Sequence, residues 1–413
     1  MKYLILIGDG MADLPIPELD GRTPLEAAST PAMDEVARAG LTGLFCPIPE
    51  GLPPGSAVGN LSLFAYDPRE TFTGRAPFEA AQQGIALKPD QVAFRCNLVT
   101  IADGLMRDFT AGHITTQEAA TLIETLNAQL TQFPVRFSAG VSYRHLSIVT
   151  PCPGALDDIA AARCTPPHDI IGQPYAPHLP AGQGSPLLRD LMEASQGVLG
   201  THPTNAARVR AGRLPATSIW PWGQGRPPRM DSYAQRFGLT GAVISAVDLV
   251  KGIGVCAGLE VIEVPGATGY LDTNYRGKVS AALEALERLD FVYVHVEAPD
   301  EASHEGDPQV KVRAIEDFDA HVVAPCLERL RTRGGARLLV APDHVTALGT
   351  RTHAGGPVPF AVWGEGVVPD GVAAFSERAA SGTDLLLAEG YMLASHFLTA
   401  PILDAATLTR PLK

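Results

Sequence analysis

Two rhythms of hydrophobic and polar positions alternate along the chain. Short, continuous apolar runs that stop at a glycine or an acid recur at "YLILIGDG", "DFVYVHVEAPD" and "ARLLVAPDH", the pattern of strands buried on both faces of a parallel sheet. Around them lie stretches of helical spacing such as "TPLEAASTPAMDEVARAG", closed by Gly40. "TGLFCPIP" predicts another strand, and "GAVISAVDLVKGIGVCAGLEVIEVPG" repeats the theme of an apolar run and a polar turn. Because such runs occur near both ends of the sequence, one sheet is expected to be assembled from both. Open α/β sheets bind ligands at the carboxyl ends of their strands, so the polar residues that end these runs are the first candidates for function.

Between about 90 and 213 the rhythm changes. "VAFRCNLVTIADGLMRDFTAGHITTQEAATLIETLNAQL" predicts strand, hairpin turn, strand and helix, and "VRFSAGVSYRHLSIV" two more strands. A Pro-rich stretch, "CTPPHDIIGQPYAPHLPAGQGSP", and the helix-like "LLRDLMEASQGVL" complete the region. The expected organisation is an α/β domain made of 1–89 and 214–413, with a smaller α+β domain, 90–213, inserted into it.

Composition narrows the function classes. A chain of 413 residues that is 46% hydrophobic and 19% charged can bury a large core, and its length suits two domains. A net charge of -13 speaks against a nucleic acid or an anionic membrane as partner, both of which reward clustered Lys and Arg. It leaves room for a local basic pocket that takes a small anion. The six cysteines are scattered without CxxC pairing, which fits a reducing cytoplasm and indicates neither a zinc ribbon nor a disulfide framework. At the N-terminus Gly8 and Asp9 interrupt the apolar run before a signal-peptide core or a membrane span is complete.

Metal-type ligands crowd the strand ends: Asp9 after "LILIG", Asp300 and His304 after "FVYVHVEA", Asp343 and His344 after "RLLVAP", and His353 in "GTRTHAGGPVPF". Any one of them has a plain explanation, since acids favour a first helical turn and a histidine can be satisfied in a core. Asp300 and His304 are also spaced i, i+4, so that one helical face can present both to one ion. Carboxylate with imidazole suits Zn, Mn or Fe better than Ca. In "EGLPPGSAVGNLSLFAYD" a constrained turn precedes Ser56, which is expected at the N-cap of a helix. That position serves equally a simple cap and a nucleophile at a helix N-terminus, where backbone N–H groups can hold a phosphate. The sequence contains no GxSxG elbow, no GxxxxGK[ST] loop and no kinase glycine-rich loop.

Taken together, "LIGDGMAD", "PPGSAVGNLSLFAYDP", "TGRAPFEA", "EAPDEASHEGD" and "PDHVTALGTRTHAGGPVPF" resemble the archaeal-type, 2,3-bisphosphoglycerate-independent phosphoglycerate mutases of the alkaline phosphatase superfamily. Through "SYRHL", "WPWGQGRPP" and "PGATGYLDTNYRGK" the chain is similar to the bacterial branch that also carries the label of a proposed homoserine kinase. The resemblance implies an alkaline-phosphatase-like three-layer α/β/α domain with the inserted α+β domain. It also implies two divalent ions, Mn foremost with Mg, Zn or Co as substitutes. One would be held by Asp300, His304 and His353, the other by Asp9, Ser56, Asp343 and His344. Ser56 would take the phosphoryl group of 3-phosphoglycerate and return it to the neighbouring hydroxyl. The partner is then a small phosphorylated substrate, for which Arg95, His113, Arg144 and His145 of the insert, with Arg75 and Lys251, are the candidate cations. A metal-dependent phosphotransferase of the homoserine kinase type and a phosphomonoesterase are the alternatives. Ala57, and Gly355 or Gly356, stand where the family commonly has Asp, and neither position removes a ligand.

Overall fold

The computed structural model describes residues 1–411. The chain divides into two compact units, one formed by Met1–Phe72 with the chain from Arg229 onward, the other by Thr73–Pro228. The first segment supplies β1 (Lys2–Gly8), α1 (Pro31–Arg38), β2 (Leu41–Phe45) and α2 (Ser56–Leu63). The intervening unit contains α3 (Ala76–Gln82), β3 (Val92–Ala102), β4 (Leu105–Asp108), α4 (Thr116–Gln129), β5 (Val135–Ser138), β6 (Arg144–Val149), α5 (Ser185–Gly200) and β7 (Ser218–Gly225). After it come β8 (Gly241–Ile244), α6 (Asp248–Cys256), β9 (Glu260–Val261), α7 (Tyr275–Arg288), β10 (Phe291–Val296), α8 (Ala298–Glu305), α9 (Pro308–Phe318) and α10 (Ala324–Arg333). The C-terminal part adds β11 (Ala336–Ala341), β12 (Val345–Ala347), β13 (Thr352–Ala354), β14 (Val358–Gly364), β15 (Leu386–Leu387) and α11 (Tyr391–Thr399).

The larger unit is an α/β fold around one mixed sheet of order β15-β2-β14-β11-β1-β10-β8-β9. The central strands β11, β1, β10 and β8 run parallel, whereas β14 is antiparallel to both β11 and β2. Alternation along the central strands sorts their side chains to two faces. Leu4, Leu6, Val292, Val294, Leu338 and Val340 pack with residues of α1, α7, α9 and α10. On the other face Tyr3 meets Phe397 of α11 edge-on at 5.6 Å, and Tyr293 stacks on Phe64 beside α2 at 4.0 Å. A sheet covered on both faces leaves only its strand ends open to ligands. The register aligns Ile7 with His295 on one side and with Ala341 on the other, so the carboxyl ends of β1, β10 and β11 lie side by side.

The smaller unit is α+β. Its sheet runs β4-β3-β6-β5, with β7 also pairing with β3, and its core gathers Leu98, Leu122, Ile123, Leu191, Met192 and Trp220. Its limits are wider than the expected 90–213. Two contacts account for the difference: Ala76 and Ala80 of α3 pack on Ala93 and Ile148, and β7 is hydrogen bonded along β3.

Candidate metal centre

Three loops at the aligned strand ends build the centre. Asp9 follows β1 directly, Asp343 and His344 follow β11, and α8 begins after β10 and carries Asp300 and His304 four residues apart. The tight hairpin of β12 and β13 returns His353, which faces Thr346 in register. Ligand atoms of Asp300, His304 and His353 lie within 4.8 Å of one another, as do those of Asp9, Asp300 and His344, and those of Asp9, His295 and Asp343.

Ser56 is the first residue of α2, one position further in than the expected N-cap. Gly55 occupies the cap with φ 145, and no side chain caps the helix. The reason lies in the turn: at that φ a glycine is required, and a Cβ there would meet His353 Nδ1 at 3.1 Å. The Ser56 hydroxyl is thereby free of a capping role, 3.2 Å from His344 Nε2 and 3.5 Å from Asp9 Oδ2.

Several atoms converge here without pairing. Asp9 is 1% exposed, and its Oδ1 stands 3.1 Å from His344 Nε2 yet makes no hydrogen bond. His295 is fully buried in β10, its Nε2 3.1 Å from Asp9 Oδ2 and equally without a hydrogen bond. His304 donates from Nδ1 to the carbonyl of Arg351 at 2.9 Å, which turns its Nε2 toward Asp300 Oδ2 at 3.2 Å and His353 Nε2 at 3.1 Å. Buried donors and acceptors are almost always satisfied. Carboxylate and imidazole groups drawn this close, with Asp9 Oδ1 and His295 Nε2 left out of any hydrogen bond among the described residues, are what a shared cation would hold together.

The charges carry the same message. Burial pushes Asp343 up to about 7, with the charge of Asp9 adding to it. Against burial and the charge of Asp300, His295 and His344 hold Asp9 below the usual carboxylate range. Burial disfavours a charged His344, but Asp343 and Asp9 push it up to about 10. The hydrogen bond to Asp300 raises His304 to about 9 in spite of burial. Imidazolium protons thus neutralise a cluster of carboxylates, a task a divalent ion performs with more charge in the same place.

The candidate cations of the smaller unit sort differently. Arg95 donates from Nε to Glu79 at 3.1 Å and lies over the Trp222 ring at 4.0 Å. Burial brings it down to about 10 against the pull of Glu79, and Arg75 and Arg144 lower it further by repulsion. The charges of Arg75 and Arg144 therefore act on Arg95. His145 does not join them as a cation: it is 2% exposed, its Nδ1 accepts from the Gly140 N–H at 3.0 Å, and burial lowers it to about 4. His113 is exposed at φ 49, and among the described residues no hydrogen bond or ion pair joins its ring to the arginines. Lys251, in the larger unit, is buried against Glu263, both of whose oxygens it reaches at 2.8 Å, so a substrate would have to compete for it.

A family model described as 2,3-bisphosphoglycerate-independent phosphoglycerate mutase matches residues 37–205. The mutase of that name from Methanosarcina acetivorans is 53% identical over 382 residues, 92% of this chain and 95% of the relative. The chain belongs to this mutase family. A probable family member from Geobacter sulfurreducens is 52% identical over 398 residues, covering 95% of this chain and 98% of that one. Among solved structures, a Pyrococcus horikoshii protein aligns with TM-score 0.81 at 28% identity, over 100% of this chain and 99% of that one. The cofactor-independent phosphoglycerate mutase of Thermoplasma acidophilum aligns with TM-score 0.67 at 28% identity, over 97% and 100%.

Within this family member the geometry adds residues that the sequence patterns passed over. His295 sits inside the apolar run "FVYVHV" and reads there as a core histidine; only the register with β1 brings it to Asp9. Asn60 donates to Asp343 Oδ2 at 2.6 Å and to the Ser56 carbonyl at 2.9 Å, although its place in α2 marks it only as a polar residue on a helix. His168, from the Pro-rich stretch, packs edge-on to Trp222 at 5.2 Å beside Arg95.

Proposed function

We propose that the chain interconverts 3-phosphoglycerate and 2-phosphoglycerate, with Ser56 as the transient phosphoryl acceptor. In this reading Asp300, His304 and His353 hold one divalent ion, and Asp9, Ser56, Asp343 and His344 hold a second. The observation that carries it is the Ser56 hydroxyl, left uncapped at a helix N-terminus within reach of Asp9 and His344. The residues fit such ions: the donors are carboxylate oxygens and imidazole nitrogens, and Asp9 Oδ1, buried and without a hydrogen bond among the described residues, offers a lone pair. Manganese suits this donor set, and Mg, Zn or Co could substitute. When bound, the ions supply positive charge that makes the serine hydroxyl acidic near neutral pH and balances the phosphate oxygens.

The chain's own residues do the rest. Backbone N–H groups at the start of α2 point their positive end at a phosphoryl group on Ser56 Oγ. The bond from phosphorus to the substrate's 3-oxygen breaks as the bond to Oγ forms, and the proton released from Ser56 ends on the freed 3-hydroxyl. Transfer from Oγ to the 2-hydroxyl reverses these changes, so that no atom is gained or lost and no bisphosphorylated cofactor is needed. Arg95, Arg75 and Arg144 supply fixed positive charge suited to the substrate's carboxylate and phosphate. Relatives that carry the mutase name at 51–53% identity do not favour homoserine phosphorylation or simple hydrolysis. The reaction places the protein in glycolysis and gluconeogenesis. Six unpaired cysteines support a cytoplasmic setting, and among the described residues no helix is long and apolar enough to cross a membrane.

The test is an assay of manganese-loaded protein on 3-phosphoglycerate without bisphosphoglycerate, together with Ser56→Ala. Turnover is expected at an ordinary enzyme rate, on the order of 10 per second, with a phosphoserine trapped at residue 56 by acid quench and mass spectrometry. Undiminished turnover in Ser56→Ala would remove the phosphoserine route.

A further inference from the structure

Thr346 stands between the two proposed ligand groups. It lies in β12, two residues beyond His344, and its side chain is fully buried. Its backbone is fixed from both sides, the N–H donating to the Ala12 carbonyl at 3.2 Å and the carbonyl accepting from Lys311 Nζ at 2.8 Å. The hydroxyl Oγ1 is 2.5 Å from Asp300 Oδ1 and 3.0 Å from His344 Nδ1. Gly10 leaves the room: at φ 58 it passes so close that a Cβ would collide with both Thr346 Oγ1 and Asp300 Oδ1.

A hydroxyl has one hydrogen to give. Asp300, as a carboxylate, can only accept, so the Thr346 hydrogen points to Asp300 Oδ1. The oxygen lone pairs are then left for His344, whose Nδ1 must be the donor. With Nδ1–H engaged, the remaining ring nitrogen, Nε2, is the one aimed at Ser56 Oγ, 3.2 Å away, and Asp9 Oδ1, 3.1 Å away. Outer hydrogen bonds of this kind fix which nitrogen of a histidine is free to bind a metal. Here the same hydroxyl also holds the carboxylate of the other group.

We propose that Thr346 is a positioning residue shared by both metal positions: by donating to Asp300 and accepting from His344 Nδ1–H, its hydroxyl sets the lone pairs that each position uses. This rests on the two-metal reading of the site. A structural residue would be replaceable by any side chain of its shape, whereas this role needs the hydroxyl.

The experiment is Mn²⁺ binding by equilibrium dialysis with elemental analysis, on the wild type, Thr346→Val and Thr346→Ser. Wild type is expected to bind two ions, Thr346→Val to bind both about 10–100-fold more weakly, and Thr346→Ser to stay close to wild type. Thr346→Val also strands the buried Asp300 Oδ1 and His344 Nδ1–H, so its metal-free form should melt below wild type, whereas Thr346→Ser should melt close to it. Mn²⁺ affinity at wild-type strength in Thr346→Val overturns the proposal, and weakening at one position only overturns the shared role. Fewer than two ions on the wild type would instead overturn the two-metal reading and this proposal with it. A readout that needs no variant is the histidine ¹⁵N spectrum of the Zn²⁺-loaded wild type, where His344 should carry its proton on Nδ1. A proton on Nε2 refutes the assignment even if Thr346→Val fails to fold.

Discussion

The Tyr293 hydroxyl donates to Asn60 Oδ1 at 2.6 Å, deep between the sheet and the helix that begins at Ser56. Through its other side-chain group Asn60 reaches both Asp343 and the Ser56 carbonyl. A strand residue thus braces a helix residue that braces a carboxylate. Removing the outer partner leaves only one bond unmade, so Tyr293→Phe should cost about 1 kcal/mol and leave turnover within a few-fold. Asn60→Leu strands a buried carboxylate oxygen and a buried hydroxyl at once. It should cost about 2–4 kcal/mol and weaken metal binding as well. Urea unfolding and Mn²⁺ titration of the two variants check this, and equal effects would mean that Asn60 does not orient Asp343.

A second buried contact holds the loops themselves. Lys311 Nζ, with no exposed side chain, meets Asp13 Oδ2 at 2.9 Å and the carbonyls of Ala12 and Thr346 at 3.3 and 2.8 Å. It therefore joins the segment after Asp9 to the segment after His344. Lys311→Met leaves the Asp13 charge buried and uncompensated, which should cost about 3–5 kcal/mol. Lys311→Met with Asp13→Asn should recover part of that loss. Denaturation of the single and double variants decides it, and strict additivity would show that the two side chains do not act as a pair.

Arg95 is set up for binding by the contacts that hold it. Its Nε is tied to Glu79 and its plane rests on Trp222, whose indole N–H is in turn fixed by Asn97 Oδ1 at 3.0 Å. Among the described residues neither terminal nitrogen of the guanidinium has a hydrogen-bond partner, so both are donors for an anion. Arg95→Ala should raise KM for 3-phosphoglycerate about tenfold or more, with a smaller effect on kcat. Arg95→Lys, which keeps the charge but loses the planar stack, should fall between. Unchanged steady-state kinetics in Arg95→Ala would make the arginine a structural partner of Glu79 alone.

How much of this could be seen in the sequence depended on the distance over which each cause acts. Asp9, Asp300 and Asp343 were legible because an apolar run stopped by an acid is a local signal, and parallel strands bring such stops to one edge. His295, Asn60 and Thr346 were not, since each reads as an ordinary polar residue in its own element and meets its partner only across the fold: Thr346 lies 46 positions from Asp300, Asn60 283 from Asp343, and His295 further still from Asp9. The boundary of the smaller unit is not visible in composition, because α3 belongs to it by packing. For His145 the sequence does carry a signal of burial. In a strand successive side chains alternate, so if Arg144 faces outward His145 must face in, and it does.

That buried histidine gives a pH dependence with a definite sign. An unfolded chain protonates His145 near pH 6.5, but burial holds it neutral until about 4 in the fold. The fold therefore binds fewer protons than the unfolded chain between those limits. Its contribution to stability is complete above about pH 6.5 and is lost as the pH falls toward 4, a change of about 3 kcal/mol at the limit. His145→Gln keeps an acceptor for the Gly140 N–H and removes the titration. Melting followed by tryptophan fluorescence weights this unit, because Trp220 and Trp222 are buried in its sheet and Trp363 alone lies in the larger unit. Wild type should lose melting temperature relative to His145→Gln between pH 7 and 4.5. Parallel profiles would show that His145 takes up its proton in the fold as readily as in the unfolded chain, which its burial beside β3 argues against.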